Sequence, residues 1–185
     1  DYLSPAAHPT VFDQDDVDLG RMLALANAMT TDAIPPRAQI SVTTEGKAID
    51  AFAPLLSEEL FTTPDAIARL WRGGGRSRTY TFDAADSFDA NGRPLTYFWQ
   101  VISGDPRKIT INRLKPDASE VEVTIEWHEG IKNPSGLKSS RVDIALFAHN
   151  GAAYSAPAMF SLDLPSHQRR IYSDDLSDQR PLSIA

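Results

Sequence analysis

Between Thr79 and Ile102 the chain alternates, breaks at an acidic stretch, and alternates again. Tyr80 and Phe82 alternate with Thr79 and Thr81, the period of a half-buried strand. Residues 83–94 then hold Asp83, Asp86, Asp89, Asn91, Gly92 and Pro94. Asn-Gly is a strong turn signal, because glycine accepts positive φ without steric cost. Tyr97, Trp99 and Val101 alternate with Phe98, Gln100 and Ile102, which makes both faces of the second strand largely apolar and predicts a central position in its sheet.

The rest of the chain repeats this pattern of short strands and turns. Residues 120–128 alternate cleanly, with Val121, Val123, Ile125 and Trp127 on one face and Glu120, Glu122, Thr124, Glu126 and His128 on the other. That is the pattern of a strand lying between core and water. Further strands are predicted at 39–44, 108–114, 141–149 and 159–164. They are separated by Gly104-Asp105-Pro106, Pro116-Asp117, a polar loop at 129–140, and Asn150-Gly151. About seven strands with regular turn signals predict an antiparallel sandwich.

Two segments read as helical. Residues 15–30 place Leu19, Met22, Leu23, Ala26 and Met29 on one face, with Asp13, Asp15 and Asp16 at the start and Ile34-Pro35-Pro36 after the end. The second segment lies in an insertion, residues 45–76. A helical turn is predicted at 53–61, and Thr63-Pro64-Asp65 reads as the start of a helix running over 64–71, ended by Gly73-Gly74-Gly75. Ile67, Leu70 and Trp71 form its apolar side. They are expected to pack on the chain's own sheet together with the Leu19 to Met29 face, leaving Arg69, Arg72 and Arg76 in solvent. The organisation is then an N-terminal arm and helix (1–33), a sandwich (34–165), and a polar tail (166–185) tacked down by Ile171-Tyr172 and Leu182.

The residues Phe82-Asp83-Ala84, followed by Ser87-Phe88-Asp89-Ala90-Asn91-Gly92-Arg93-Pro94-Leu95-Thr96-Tyr97-Phe98-Trp99, resemble the signature of PKD-type domains. Residues 35–42 are similar to the first strand of that family, and 142–150 and 158–164 to its last two. The resemblance implies an immunoglobulin-like β-sandwich of the kind found in secreted and cell-surface proteins and often appended to bacterial hydrolases and adhesins. It also implies a core role for Trp99. Two departures stand out: the long insertion at 45–76, and Gln100-Val101-Ile102-Ser103-Gly104 where the family carries Asp-Phe-Gly-Asp-Gly.

Composition narrows the function. The chain has 185 residues, a net charge of −7 and no visible basic patch, which speaks against nucleic acid and anionic membrane surfaces. The absence of cysteine excludes disulfides, zinc–thiolate sites and thiol nucleophiles. No apolar run approaches the ~18 residues that span a bilayer. The chain opens without an initiator Met or signal peptide, which reads as the C-terminal part of a longer protein.

Candidate chemistry is sparse. Asp83, Asp86, Asp89 and Asn91 offer oxygens of the kind Ca²⁺ takes, although such residues more commonly cap their own turn. Trp71 is the tryptophan with the best claim to exposure, and with Arg72 and Arg76 it makes a candidate binding surface, although packing on the sandwich is its commoner role. His8, His128, His149 and His167 do not cluster, and no serine or carboxylate motif marks a catalytic centre. No catalytic residue and no resident cofactor is therefore assigned. The expected function is that of a non-catalytic module of an extracellular, periplasmic or cell-surface bacterial protein. It would serve spacing, docking on an upstream domain, or binding of polysaccharide or protein. The alternative is a fragment contributing one face of the active site of a larger carbohydrate-active or hydrolytic enzyme.

Overall fold

The computed structural model describes residues 18–46, 57–132, 136 and 138–185. The chain divides into two compact units, one ending at Ile34 and the other comprising Pro35–Ala185. In the first, α1 spans Leu19–Ala28, and the Asp18 carboxylate caps it by accepting the Arg21 N–H at 2.9 Å. The cap is thus Asp18, whereas Asp13, Asp15 and Asp16 lie outside the described residues, as do the arm and the predicted turn at 53–56. None of the residues of α1 is buried, and Met29, which follows it, is exposed as well. No helix among the described residues is long and apolar enough to cross a membrane.

The second unit is built from β1 (Ser41–Glu45), β2 (Glu59–Thr62), β3 (Ala66–Leu70), β4 (Ser77–Asp83), β5 (Thr96–Ser103), β6 (Ile109–Arg113), β7 (Glu120–Glu126), β8 (Ile131–Lys132), β9 (Lys138–Ser139), β10 (Arg141–His149), β11 (Ala158–Asp163), β12 (Arg170–Tyr172) and β13 (Pro181–Ile184). The fold is mainly β. One sheet has the order β1-β4-β7-β6 and the other β2-β3-β11-β10-β5, while β8-β9 and β12-β13 are two-stranded ribbons.

The two larger sheets share one core, because their alternating residues send one set of side chains inward. Tyr80 and Phe82 of β4 meet Phe160 of β11 at ring distances of 4.9 and 4.7 Å. Val121, Val123 and Ile125 on β7 join Val142, Ile144 and Leu146 on β10 in the same buried cluster. Trp99 packs against it half-buried, stacked on Phe82 at 5.8 Å, with its indole N–H donated to the Ala118 carbonyl at 2.9 Å.

Two sequence expectations are corrected. The predicted helix at 64–71 is the strand β3. Thr63 does form the local turn, its hydroxyl accepting the Ala66 N–H at 3.0 Å, but the chain leaves that turn extended. β3 then pairs in parallel with β11, from Met159↔Ala66 to Asp163↔Leu70. This pairing satisfies the backbone, and it buries Ile67 and the following Trp71. A capping signal is a weak local preference that long-range pairing readily overrides. The 53–61 turn is likewise corrected over 59–61, which belong to β2.

The second correction concerns β5. It lies at the edge of its sheet, beside β10 alone, with Phe98 44% and Ile102 55% exposed. Its doubly apolar character therefore reflects an uncovered outer face. Gly104, at φ +109°, turns the chain out of β5. A Cβ there would stand 3.0 Å from Ile109 Cδ1 and Val142 Cγ2, so only glycine fits without strain.

Candidate functional site

The acidic turn is organised around Asp89, which is buried. Its Oδ2 accepts the Asn91 and Arg93 N–H groups at 3.0 and 3.1 Å and Arg93 Nε at 3.0 Å. Its Oδ1 accepts Arg93 Nη2 at 3.0 Å and Asn150 Nδ2 at 2.6 Å. The Arg93 hydrogen bonds, helped by Asn150 and opposed by burial, hold this carboxyl well below the usual carboxylate range. Asp83 accepts the Ala85 N–H at 2.7 Å and lies 3.6 Å from Lys115 Nζ, while Asp86 is exposed. Of the calcium candidates, Asp83 and Asp89 thus turn their oxygens to different partners. Among the described residues no group of three or more His, Asp or Glu could hold a metal ion.

Trp71, Arg72 and Arg76 do not form one surface. Trp71 is 1% exposed and meets Trp127 edge-to-face at 6.1 Å. Arg72 is exposed and donates Nε to the Ser57 carbonyl at 3.0 Å. Arg76 is half-buried, over the Tyr172 ring at 5.2 Å, and donates to the Ser173 carbonyl. Arg69, expected in solvent, is 4% exposed and bonds Glu45 Oε1 at 2.6 Å. It lies on the inward side of β3, in register with buried Leu162, so its guanidinium runs along the core margin to reach β1.

The tail is equally structural. Arg170 is buried, with its guanidinium 3.9 Å from the Trp127 ring centroid and Nη1 donated to the Gly73 carbonyl at 2.7 Å. Tyr172 Oη donates to the Gly75 carbonyl at 2.9 Å. Ile171 and Leu182, expected as anchors, are exposed; Arg170 and Tyr172 do that work. No local pattern in the sequence distinguishes Arg170 from its neighbour Arg169. His128, expected on a solvent face, is buried beside this cluster, with Nδ1 at 2.9 Å from the Glu129 carbonyl. Trp71 Nε1, Arg76 Nε, Arg78 Nε and His128 Nε2 are buried here without a hydrogen-bond partner.

An open groove of about 450 Å³ lies beside this end, lined by Leu70, Trp71, Arg72, Asp163, His167 and Gln168 among others. Among the described residues it is lined by one carboxylate, Asp163, and one imidazole, His167. General acid–base hydrolysis of a glycoside calls for two carboxyl groups facing each other, and the described lining supplies one.

The outer face of the five-stranded sheet has a different character. The registers place Phe98 opposite Phe147, Gln100 opposite Ala145, and Ala145 opposite Met159. Tyr154, 57% exposed, stands 5.5 Å from the Phe98 ring and 4.4 Å from His149. Phe98, Ile102 and Tyr154 are exposed, and Phe147 and Met159 half-buried. The buried polar group on this face, Asp143, is already occupied by Arg141 Nε at 2.8 Å and the Ser161 hydroxyl at 2.6 Å. The sequence marked this face only through the apolar run Tyr97 to Ile102.

No family model matches this chain, and no curated protein matches it. Among solved structures it is similar to a nucleoside hydrolase-related hypothetical protein from Saccharophagus degradans that is associated with carbohydrate metabolism. The identity is 17% and the TM-score 0.38, over 70% of this chain and 26% of that one. The chain thus spans about a quarter of that protein's length. A likeness of this degree carries no argument about fold or activity.

Proposed function

We propose that this chain is a non-catalytic binding module of the PKD-like, immunoglobulin-like type, acting in a secreted or surface bacterial protein, where it docks on another protein domain. The strand orders support the fold assignment. β1-β4-β7-β6 and β11-β10-β5 follow the A-B-E-D and G-F-C sheets of a constant-type immunoglobulin sandwich. The insertion then adds β2 and β3 beyond the last strand.

One observation carries the binding role: the exposed ring and aliphatic groups of Phe98, Ile102 and Tyr154, continuous with Phe147 and Met159 on one sheet face. Apolar groups grouped on one face mark interaction sites more often than scattered ones do. Ile102 and Met159 offer no hydrogen bonds to sugar hydroxyls, so the face suits a protein surface better than a polysaccharide. The preferred partner is the upstream domain of the parent protein.

The test is calorimetric titration of this chain with that domain, produced separately. Binding should show a negative heat-capacity change from apolar burial and be lost in Phe98→Ser/Tyr154→Ser. Unaltered binding by the double variant refutes the docking face. Retention on insoluble polysaccharide, lost in the same variant, moves the assignment to glycan recognition.

A further inference from the structure

The two lateral sides of the sandwich are closed differently. On one side Arg69 of β3 reaches Glu45 of β1, and Arg78 of β4 reaches Glu58 just before β2, each pair at 2.6 Å. These two arginines bridge the sheets and fill the margin between them. On the other side stand the edge strands β5 and β6, with a slot of about 170 Å³ lined by Tyr97, Trp99, Ile111 and Arg113. No comparable ionic closure joins β5 to β6 among the described residues.

The edge of β5 has a defined hydrogen-bonding face. Ala148 of β10 exchanges bonds with Ser155, its carbonyl accepting at 2.8 Å and its N–H donating to Ser155 Oγ at 2.9 Å. The even-numbered residues of β10 therefore face away from β5. Ala145, Phe147 and His149 bond to Gln100, Phe98 and Thr96 instead. The backbone groups of Tyr97, Trp99 and Val101 are left on the outer edge. The Val101 carbonyl accepts only the Gln100 side-chain amide there, at 3.2 Å.

Edge strands are ordinarily guarded by proline, by lysine or another charge, by a β-bulge, or by shortness. β5 is irregular at Ile102, where its register against β10 shifts, and runs regularly over residues 96–101. Residues 96–103 contain neither proline nor any charged residue, in a chain of net charge −7. We propose that β5 pairs antiparallel with β5 of a second copy of this chain, about a two-fold axis at Gln100.

The register is self-complementary. Over the regular part of the strand it sets Trp99 against Val101 on the inner face, an aromatic–aliphatic pair of the kind that stabilises sheets. The outward backbone groups of Trp99 and Val101 then meet as a hydrogen-bonded pair, and the two Gln100 residues oppose each other as a non-bonded pair. Residues 96–103 carry no charge, so the joined strands do not repel each other, and two five-stranded sheets become one. This contact is isologous, so it closes at two copies. It uses the strand edge and is independent of the docking role of the sheet face.

The test is sedimentation equilibrium of the full chain, wild type against Gln100→Lys and Gln100→Glu. The wild type should approach twice 20.3 kDa with rising concentration. Each single variant places two like charges at the axis and should remain monomeric under conditions where the wild type is dimeric. Mixing the two variants should restore the dimer, because opposite charges then meet. Gln100 is exposed, so neither substitution threatens folding, and unchanged circular dichroism checks this. A wild type that stays monomeric to its highest soluble concentration overturns the proposal. So does a dimer indifferent to both substitutions, or a mixture that fails to reassociate.

Discussion

Arg78 and Glu58 lie 20 residues apart in the chain and join the two sheets, Nη2 to Oε1 at 2.6 Å and Nη1 to Oε2 at 2.8 Å. The Arg78 side chain is almost fully buried, and it also donates to the Gly46 carbonyl at 2.9 Å. Removing the carboxylate leaves a charge in the core margin without its counter-ion. Glu58→Ala should cost about 3 kcal/mol, near the lower end for breaking a buried pair. Arg78→Met in the same background should recover part of it, because no charge then remains to be solvated. Denaturant midpoints of the two variants check both effects.

Acid sensitivity should come from two turn carboxylates. The Arg107 side chain, with its backbone N–H, holds Asp105 at about 2 against the opposing effect of burial, below its ordinary 3.8. Asp89 is depressed in the same direction by Arg93 and Asn150. A carboxyl that is more acidic when folded contributes stability that is complete above its unfolded value and lost as pH falls through the folded one. Unfolding free energy should therefore be insensitive to these groups above about pH 5 and decline from about pH 4 downward. Asp105→Asn should lower the plateau and flatten the part of the decline near pH 2 to 4, measured by urea titration at each pH.

The core should respond unequally to its aromatic residues. Phe160 is fully buried between Tyr80 and Phe82, so Phe160→Ala should cost about 3–5 kcal/mol. Trp99 is only half-buried, and Trp99→Phe keeps most of its packing while losing the hydrogen bond to Ala118. That change should cost about 1 kcal/mol. Equal losses in thermal melts would contradict this placement.

Excising the insertion should be severe. Replacing residues 48–74 by a short Gly-Ser bridge removes β2 and β3, uncovers β11 as a new edge, and deletes Ile67 and Trp71 from the core. The shortened chain should aggregate or melt far lower, as light scattering during a thermal ramp would reveal. A shortened chain of unchanged stability would mean that β3 contributes little to the fold.

The elements written by local period were legible in the sequence. Alternation located β4, β5 and β7, since the two-residue repeat of a strand leaves a direct trace in the residues, and turn signals bounded β10 and β11. The turn at Asp89 to Gly92 was legible for a related reason, because its side chains bond their own backbone. What depends on neighbours distant in sequence was decided only by tertiary structure. Residues 64–71 carry a helix-start signal, yet five parallel pairings with β11 make them a strand. The Tyr97 to Ile102 run shows two apolar faces, but whether a strand is central or at an edge depends on which others pair with it. Arg69, Arg78 and Arg170 look like solvent-facing charges in the sequence. They are buried because Glu45, Glu58 and the Trp127 ring, each brought near by the fold, supply the interactions that compensate for lost water.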